Sequence, residues 1–225
     1  MRITMLGIRE IIGCTLILWA LAFGVYYGAL KLDMPYLNLI NILLAVVWGW
    51  VFWFFRDPDR KMPQDEKAFI SPADGVVADI TQLGEESTIK RDGVQIGVFM
   101  NVFSVHVNRM PFDAEIIEVN HKPGQFLDVR KPESYEVNES TTLKLSVEYN
   151  GEKYLVLVRQ IAGLVARRIV TTVRPGDFLK KGERFGMIKF GSRVELVLPK
   201  ELAGEIPVQI GQNVKAGADI LARIS

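Results

Sequence analysis

Three short stretches carry the side chains best equipped for chemistry: Asp74 in "ISPADGVV", His106 in "NVFSVHVNRMP" and Ser192 in "FGSRVELVLP". An acid, an imidazole and a hydroxyl are the parts of a charge-relay system, in which the acid orients the base and the base activates the hydroxyl. Each also has a plain structural reading: Asp74-Gly75 after Pro72 makes a good turn, a lone histidine on an apolar strand packs as a core residue, and Gly191-Ser192 suits a bulge. The sequence alone does not place the three together. Other chemistries are excluded more firmly. With two histidines, His106 and His121, and a single cysteine, Cys14, no Cys/His zinc cluster can be assembled, and no P-loop or dinucleotide fingerprint is present. The G-x-S-x-G elbow is absent too, since Ser192 sits in Phe-Gly-Ser-Arg-Val.

The elements that must position these residues are mostly strands. After the polar, proline-marked junction "FFRDPDRKMPQDE" come short runs rich in Val and Ile, often alternating: "GVVADI", "VQIGVFM", "AEIIEV", "TLKLSVEY", "EKYLVLVRQI", "RFGMIKF" and "RVELVLP". Asn150-Gly151 joins two of them and predicts a tight hairpin, because both positions tolerate positive φ. A pattern V-x-x-G-x-x-[LV]-K-x-G occurs twice, from Val173 to Gly182 and from Val208 to Gly217, with glycines where a tight turn feeds a hairpin. The same pattern resembles biotinyl/lipoyl-type folds. The expected fold is therefore mainly β, a flattened β-sandwich or barrel with lipoyl-like glycine turns. One polar, aperiodic segment, "GQFLDVRKPESYEVNEST", predicts a mobile surface loop.

The first quarter of the chain is different. No charged residue occurs from Ile11 to Leu30, or from Met34 to Phe55. Each run matches the ~20 residues that cross a ~30 Å hydrocarbon core as a helix. Only Lys31, Leu32 and Asp33 stand between them, with Pro35 just beyond, so the pair predicts an N-terminal transmembrane helical hairpin. A hairpin lying in one leaflet fits the same residues. Arg2 and Arg9 before it, and Arg56, Arg60 and Lys61 after it, put both ends on the cytoplasmic side of the cell (inner) membrane. A signal peptide is a poorer fit, because a second apolar run follows at once without a small-residue cleavage site. This divides the chain into residues 1–56, an anchor, and 57–225, a catalytic domain. In 225 residues, 27 Lys and Arg nearly balance 26 Asp and Glu, so no whole-chain field argues for nucleic acid.

The stretches "FFRDPDR", "SPADGVV", "VFMNVFSVHVNRMP", "VRQIAGLVARRIV" and "GDFLKKGERFGMIKFGSRVELVLP", with the apolar start, resemble the phosphatidylserine decarboxylase family, in particular its short prokaryotic branch. The resemblance implies that the Gly191–Ser192 bond is cut by the protein itself. Ser192 then becomes a covalent pyruvoyl group, which replaces pyridoxal phosphate, forms a Schiff base with the substrate amine and takes up the electrons released with CO₂. It implies a β chain, residues 1–191, and an α chain, residues 192–225, that stay together as a heterodimer, leaves room for homo-oligomers, and makes a membrane phospholipid the substrate.

By the same resemblance His106 is the base and Asp74 its partner. Longer members carry H-x-x-H before Met-Pro, whereas here Arg109 stands at the second histidine's place, and Ser104 replaces the Asp common in the short branch. Arg109, Arg167 and Arg168 are expected candidates for the lipid phosphate, since a guanidinium fork fits phosphate oxygens. Two other readings stand beside the main one: the same chemistry on the archaeal lipid archaetidylserine, and a non-catalytic membrane adaptor with a lipoyl-like sandwich, which would leave Gly191–Ser192 intact.

Overall fold

The computed structural model describes residues 2–164, 168–189 and 191–225. They fall into two compact units, Met1–Asp59 and Arg60–Ser225.

In the first unit, β1 (Arg2–Ile3) pairs antiparallel with β2 (Arg56–Asp57), which brings the two ends of the helical hairpin together. Between them run α1 (Ile8–Lys31) and α2 (Leu39–Phe54), joined by a 3₁₀ turn over Pro35–Asn38. Trp48 Nε1 donates to Thr15 Oγ1 at 3.0 Å and stitches one helix to the other. Leu16, Ile17, Trp19 and Phe23 on α1 are exposed, as are Leu39, Ile42, Leu43 and Val46 in or beside α2. A helix apolar on its outer faces is stable in lipid rather than in water. Both helical segments, 27 and 20 residues long, are long and apolar enough to cross a membrane.

The second unit is mainly β, as the alternating runs predict. Its strands are β3 (Ala68–Ile70), β4 (Gly75–Leu83), β5 (Gly93–Met100), β6 (Val107–Arg109), β7 (Ala114–Lys122), β8 (Ser140–Tyr149), β9 (Glu152–Ala162), β10 (Arg168–Thr171), β11 (Phe178–Leu179), β12 (Arg184–Lys189), β13 (Ser192–Pro199), β14 (Asn213–Val214) and β15 (Ile220–Arg223), with one helical turn, α3 (Ser134–Val137). Eight of them form an antiparallel sheet in the order β11-β7-β8-β9-β13-β5-β4-β14. Register shifts between Val77 and Asp79 and between Ile116 and Glu118 bend this sheet, and it curls into a half-barrel. Two smaller sheets, β10-β12-β6 and β15-β3, complete the unit. The β8–β9 hairpin turns at Asn150 (φ 52°) and Gly151 (φ 80°), the pair of left-handed residues that a type I′ turn requires.

The glycine repeat of the sequence is a repeat of structure. Gly176 and Gly211 have φ of 92° and 89°, and Gly182 and Gly217 have 81° and 75°. Gly176 N–H donates to the Ile116 carbonyl and Gly211 N–H to that of Val77, each at 2.8 Å, while Gly182 donates to Met110 and Gly217 to Ser71. The partners reveal a second correspondence that composition hides: "SPADGVV" at 71–77 matches "MPFDAEI" at 110–116. The two halves of the unit are thus related by an approximate two-fold: β11 on β7 answers β14 on β4, and β12 on β6 answers β15 on β3. Phe69, Val98, Met100, Ile116, Leu145 and Leu196 are among the fully buried residues of the core between them.

Candidate active site

Ser192 opens β13, the fifth strand of the eight, with neighbours on both sides: it lies opposite Met100 of β5 and Ala162 of β9. Side chains alternate along a strand, so Ser192 shares the core face with Val194 and Leu196. It is fully buried, and its hydroxyl lies 3.3 Å from Met100 Sδ. Gly191, immediately before it, has φ of 50°. A Cβ built there meets nothing within 4 Å, so backbone conformation and not crowding selects glycine. Its carbonyl is confined from one side, because a Cβ added to Gly163 would lie 2.3 Å from Gly191 O. Gly163 therefore lets the backbone pass directly against the Gly191–Ser192 peptide.

Contacts link the three motifs into one region. The Pro72 carbonyl, two residues before Asp74, accepts from Arg109 N–H at 3.0 Å and from Asn108 Nδ2 at 3.3 Å. Asn108 Nδ2 also approaches Met100 Sδ at 4.0 Å, and Met100 touches Ser192. Behind them a buried amide chain runs on, with Gln160 Nε2 donating to Asn108 Oδ1 at 2.8 Å and Thr171 Oγ1 to Gln160 Oε1 at 3.1 Å. Fully satisfied networks of this kind fix backbone position more firmly than apolar packing does.

His106 is fully buried, in the turn between β5 and β6, and its Nδ1 lies 2.9 Å from the Ser104 carbonyl. A carbonyl can only accept, so Nδ1 carries a proton in this contact, and in the neutral form of the ring the basic lone pair lies on Nε2. Asp74 is gripped by Arg60 Nη2 at 2.7 Å and accepts the Ala216 amide at 2.8 Å. Its counterpart in the other half, Asp113, accepts the Lys181 amide at 2.6 Å in the same way. The amide bond is thus common to both halves, and the Arg60 ion pair on Asp74 is a contact added to it.

Of the basic residues expected at the phosphate, Arg109 and Arg168 lie on different strands, β6 and β10. Arg109 is 8% exposed and donates through Nη1 to the Gly182 carbonyl at 3.1 Å, and its Cδ would meet a Cβ on Gly217 at 2.8 Å. It touches both glycine turns. Arg168 lies on β10 opposite Lys189 of β12. Arg167 lies outside the described residues. His121 is on β7, with Nδ1 3.1 Å from Thr141 Oγ1.

A cavity of about 250 Å³ opens at Gly191, walled by Phe99, Val102, Val129 and Leu164 and reached by Arg130. It exceeds the ~150 Å³ that holds a benzene ring in an engineered protein core. Val129 and Arg130 come from the segment expected to be a mobile loop, which holds one helical turn, α3. The buried Asn138 cinches it: the side chain accepts from Leu127 N–H and donates to the Leu127 and Ala162 carbonyls, each at 2.8 Å. Nothing in the loop's composition marked this beyond the single asparagine.

On the opposite face of β13 stands a charged cluster that sequence reading also missed. Arg193 is 1% exposed, and its guanidinium binds both oxygens of Asp79, donates to Glu195 Oε1 at 2.9 Å and stacks on the Tyr135 ring at 4.2 Å. Burial alone would lower the Arg193 pKa; the Asp79 hydrogen bond and the two carboxylate charges outweigh it, and the net shift is upward. Gly97 makes room, since a Cβ there would lie 2.1 Å from Nη2.

Residues 48–222 match the family model described as phosphatidylserine decarboxylase. The phosphatidylserine decarboxylase proenzyme of Carboxydothermus hydrogenoformans is 44% identical over 185 residues, 82% of this chain and 84% of the relative. That of Rhodopirellula baltica is 40% identical over 206 residues, 85% of each. That of Magnetococcus marinus is 36% identical over 204 residues, 91% of each.

Proposed function

The chain belongs to the phosphatidylserine decarboxylase family, and from that premise we propose that it is a membrane-associated proenzyme that cuts itself before Ser192 and decarboxylates phosphatidylserine to phosphatidylethanolamine. The observation that carries the reading is the Gly191–Ser192 junction. A left-handed glycine with an open face precedes a buried serine at the start of a doubly paired strand, beside a cavity. These features fit a prosthetic group made from residue 192.

In the proposed maturation, His106 acts as the base that takes the Ser192 Oγ proton at Nε2, with the Ser104 carbonyl holding Nδ1–H, and Asp74 supports it through the turn that Pro72 ties to β6. Oγ adds to the Gly191 carbonyl carbon, the C–N bond breaks, and the amide becomes an ester with the residue 192 amine released. Loss of the residue 192 Cα proton then expels Gly191 as a carboxylate. Water hydrolyses the resulting dehydroalanine, through its imine tautomer, to the pyruvoyl group and ammonia. When formed, that group supplies a carbonyl for the substrate amine and a sink for the electrons left by CO₂. The paired register of β13 keeps the new N-terminus between β5 and β9. The apolar hairpin supports residence in the membrane, where a diacyl lipid stays. Its flanking Arg2, Arg9, Arg56, Arg60 and Lys61 favour a cytoplasmic position for residues 57–225.

Intact mass under denaturing conditions tests this reading. Two chains are expected, the shorter beginning at a blocked residue 192, and Ser192→Ala should yield one chain and no CO₂ release from phosphatidylserine vesicles. A single chain from active protein would overturn it.

A further inference from the structure

The loop that walls the Gly191 cavity alternates Asp128, Val129, Arg130, and only the middle residue points into the protein. Val129 is 4% exposed and packs toward Gly163, with Cγ1 3.4 Å from where a Cβ on that glycine would lie. This anchor leaves its two charged neighbours at the open side of the cavity, and Arg130 keeps 73% of its side-chain exposure. Asp128 holds the guanidinium along one edge, with Nε at 3.0 Å from both carboxylate oxygens and Nη2 at 2.5 Å from Oδ2. Nη1 takes no part in this grip. The surface reading, a solvated ion pair worth little, does not account for a loop cinched by Asn138 that delivers the pair to this cavity.

We propose that Arg130 is the phosphodiester-recognition residue of the active site, binding the headgroup phosphate of the lipid while its serine moiety reaches residue 192. The assignment rests on the decarboxylase reading and adds a residue that no motif of the sequence marked. Phosphate is the better assignment than the serine carboxylate for a physical reason. A guanidinium on the departing carboxylate would stabilise the ground state and raise the barrier to loss of CO₂, whereas the phosphodiester charge is the same in ground and transition states. Recognition of an unchanging charge is uniform binding, which appears in KM and not in kcat. Asp128 preorients the fork, and Phe99, Val102 and Leu164 line the cavity beside it.

Two measurements test it. In mixed micelles of phosphatidylserine, Arg130→Gln should raise KM about tenfold or more with kcat within about twofold, and Arg130→Lys, a point charge without the fork, should fall between. The second readout needs no turnover. In uncleaved Ser192→Ala protein, the Arg130 side-chain resonance should shift on titration with glycerophosphoserine, and adding Arg130→Gln should weaken binding about tenfold. Unchanged KM and unchanged binding would overturn the proposal, and so would a fall in kcat alone, which would move Arg130 to the carboxylate. Failure of Arg130→Gln to self-cleave would also overturn it by placing the residue in maturation. If instead the wild-type protein is cleaved but releases no CO₂ from phosphatidylserine, the functional reading fails separately.

Discussion

Replacing Arg193 with methionine should destabilise the protein more than any other single change on the outer face of the sheet. The side chain is 1% exposed and is the shared cation for Asp79 and Glu195, of which Glu195 is itself only 3% exposed. Methionine is smaller, so it fits above Gly97 without strain. The loss is then electrostatic: Glu195 keeps only Arg159 at 3.7 Å and a long 3.4 Å bond from Gln95. Removing one partner of a buried ion pair costs about 3–5 kcal/mol. For a unit of this size each kcal/mol moves Tm by roughly 2–4 °C, so a fall on the order of 10 °C is expected. Thermal unfolding of the uncleaved Ser192→Ala protein, with and without the substitution, followed by circular dichroism in detergent, measures it. Because the burden is an orphaned Glu195 and not a missing arginine, Arg193→Met with Glu195→Met should recover at least half of the loss. A fall under about 2 °C, or a double variant no better than the single one, would refute the reasoning.

Other outcomes follow from contacts already described. Asp113→Ala should lower Tm by a few degrees, from one lost hydrogen bond of about 1 kcal/mol, and leave self-cleavage intact, whereas Asp74→Ala should block it; denaturing mass spectrometry separates the two. Asn138→Ala should open the segment 125–138 to limited proteolysis, since three hydrogen bonds close it; resistance equal to wild type would mean that the loop is held elsewhere. The Arg130 hydrogen bonds hold the Asp128 carboxyl at a pKa of about 2. A depressed carboxylate stabilises the fold above its ordinary pKa of about 3.9, and that contribution fades only as pH falls from about 4 through 2. A carboxylate ¹³C titration should find the midpoint near 2, and an ordinary midpoint would show that the pair does not persist in solution.

The parts of this protein that were legible beforehand are those written in local chemistry. Asn150-Gly151 specifies its turn, the paired glycines their left-handed φ, and the uncharged runs their helices, because each needs only its own neighbours. Asp113 as a twin of Asp74 was hidden, since "PADG" and "PFDA" share little beyond Pro and Asp and the relation lies in which amides they accept. Arg193 falls within the alternating run "RVELVLP", where nothing local marks it, and only the arrival of Tyr135 and Asp79 from distant segments buries it. Arg130 was likewise invisible, because a cavity formed by β5, the loop at 128–130 and residues 163–164 has no signature in any one of them.

The position of β13 bears on how often one molecule can fold. With the proposed cleavage before Ser192, the chain that begins at residue 192 would supply the fifth strand of the large sheet, the edge strand β14 and the partner of β3. While the polypeptide is whole, docking these strands is an intramolecular closure at high effective concentration; once it is cut, the same step is a bimolecular association of a short peptide with a sheet missing its middle. A mature molecule that unfolds therefore loses its route back. The enzyme's working life should be set by the unfolding rate and not by an equilibrium, so that each copy is spent once it opens.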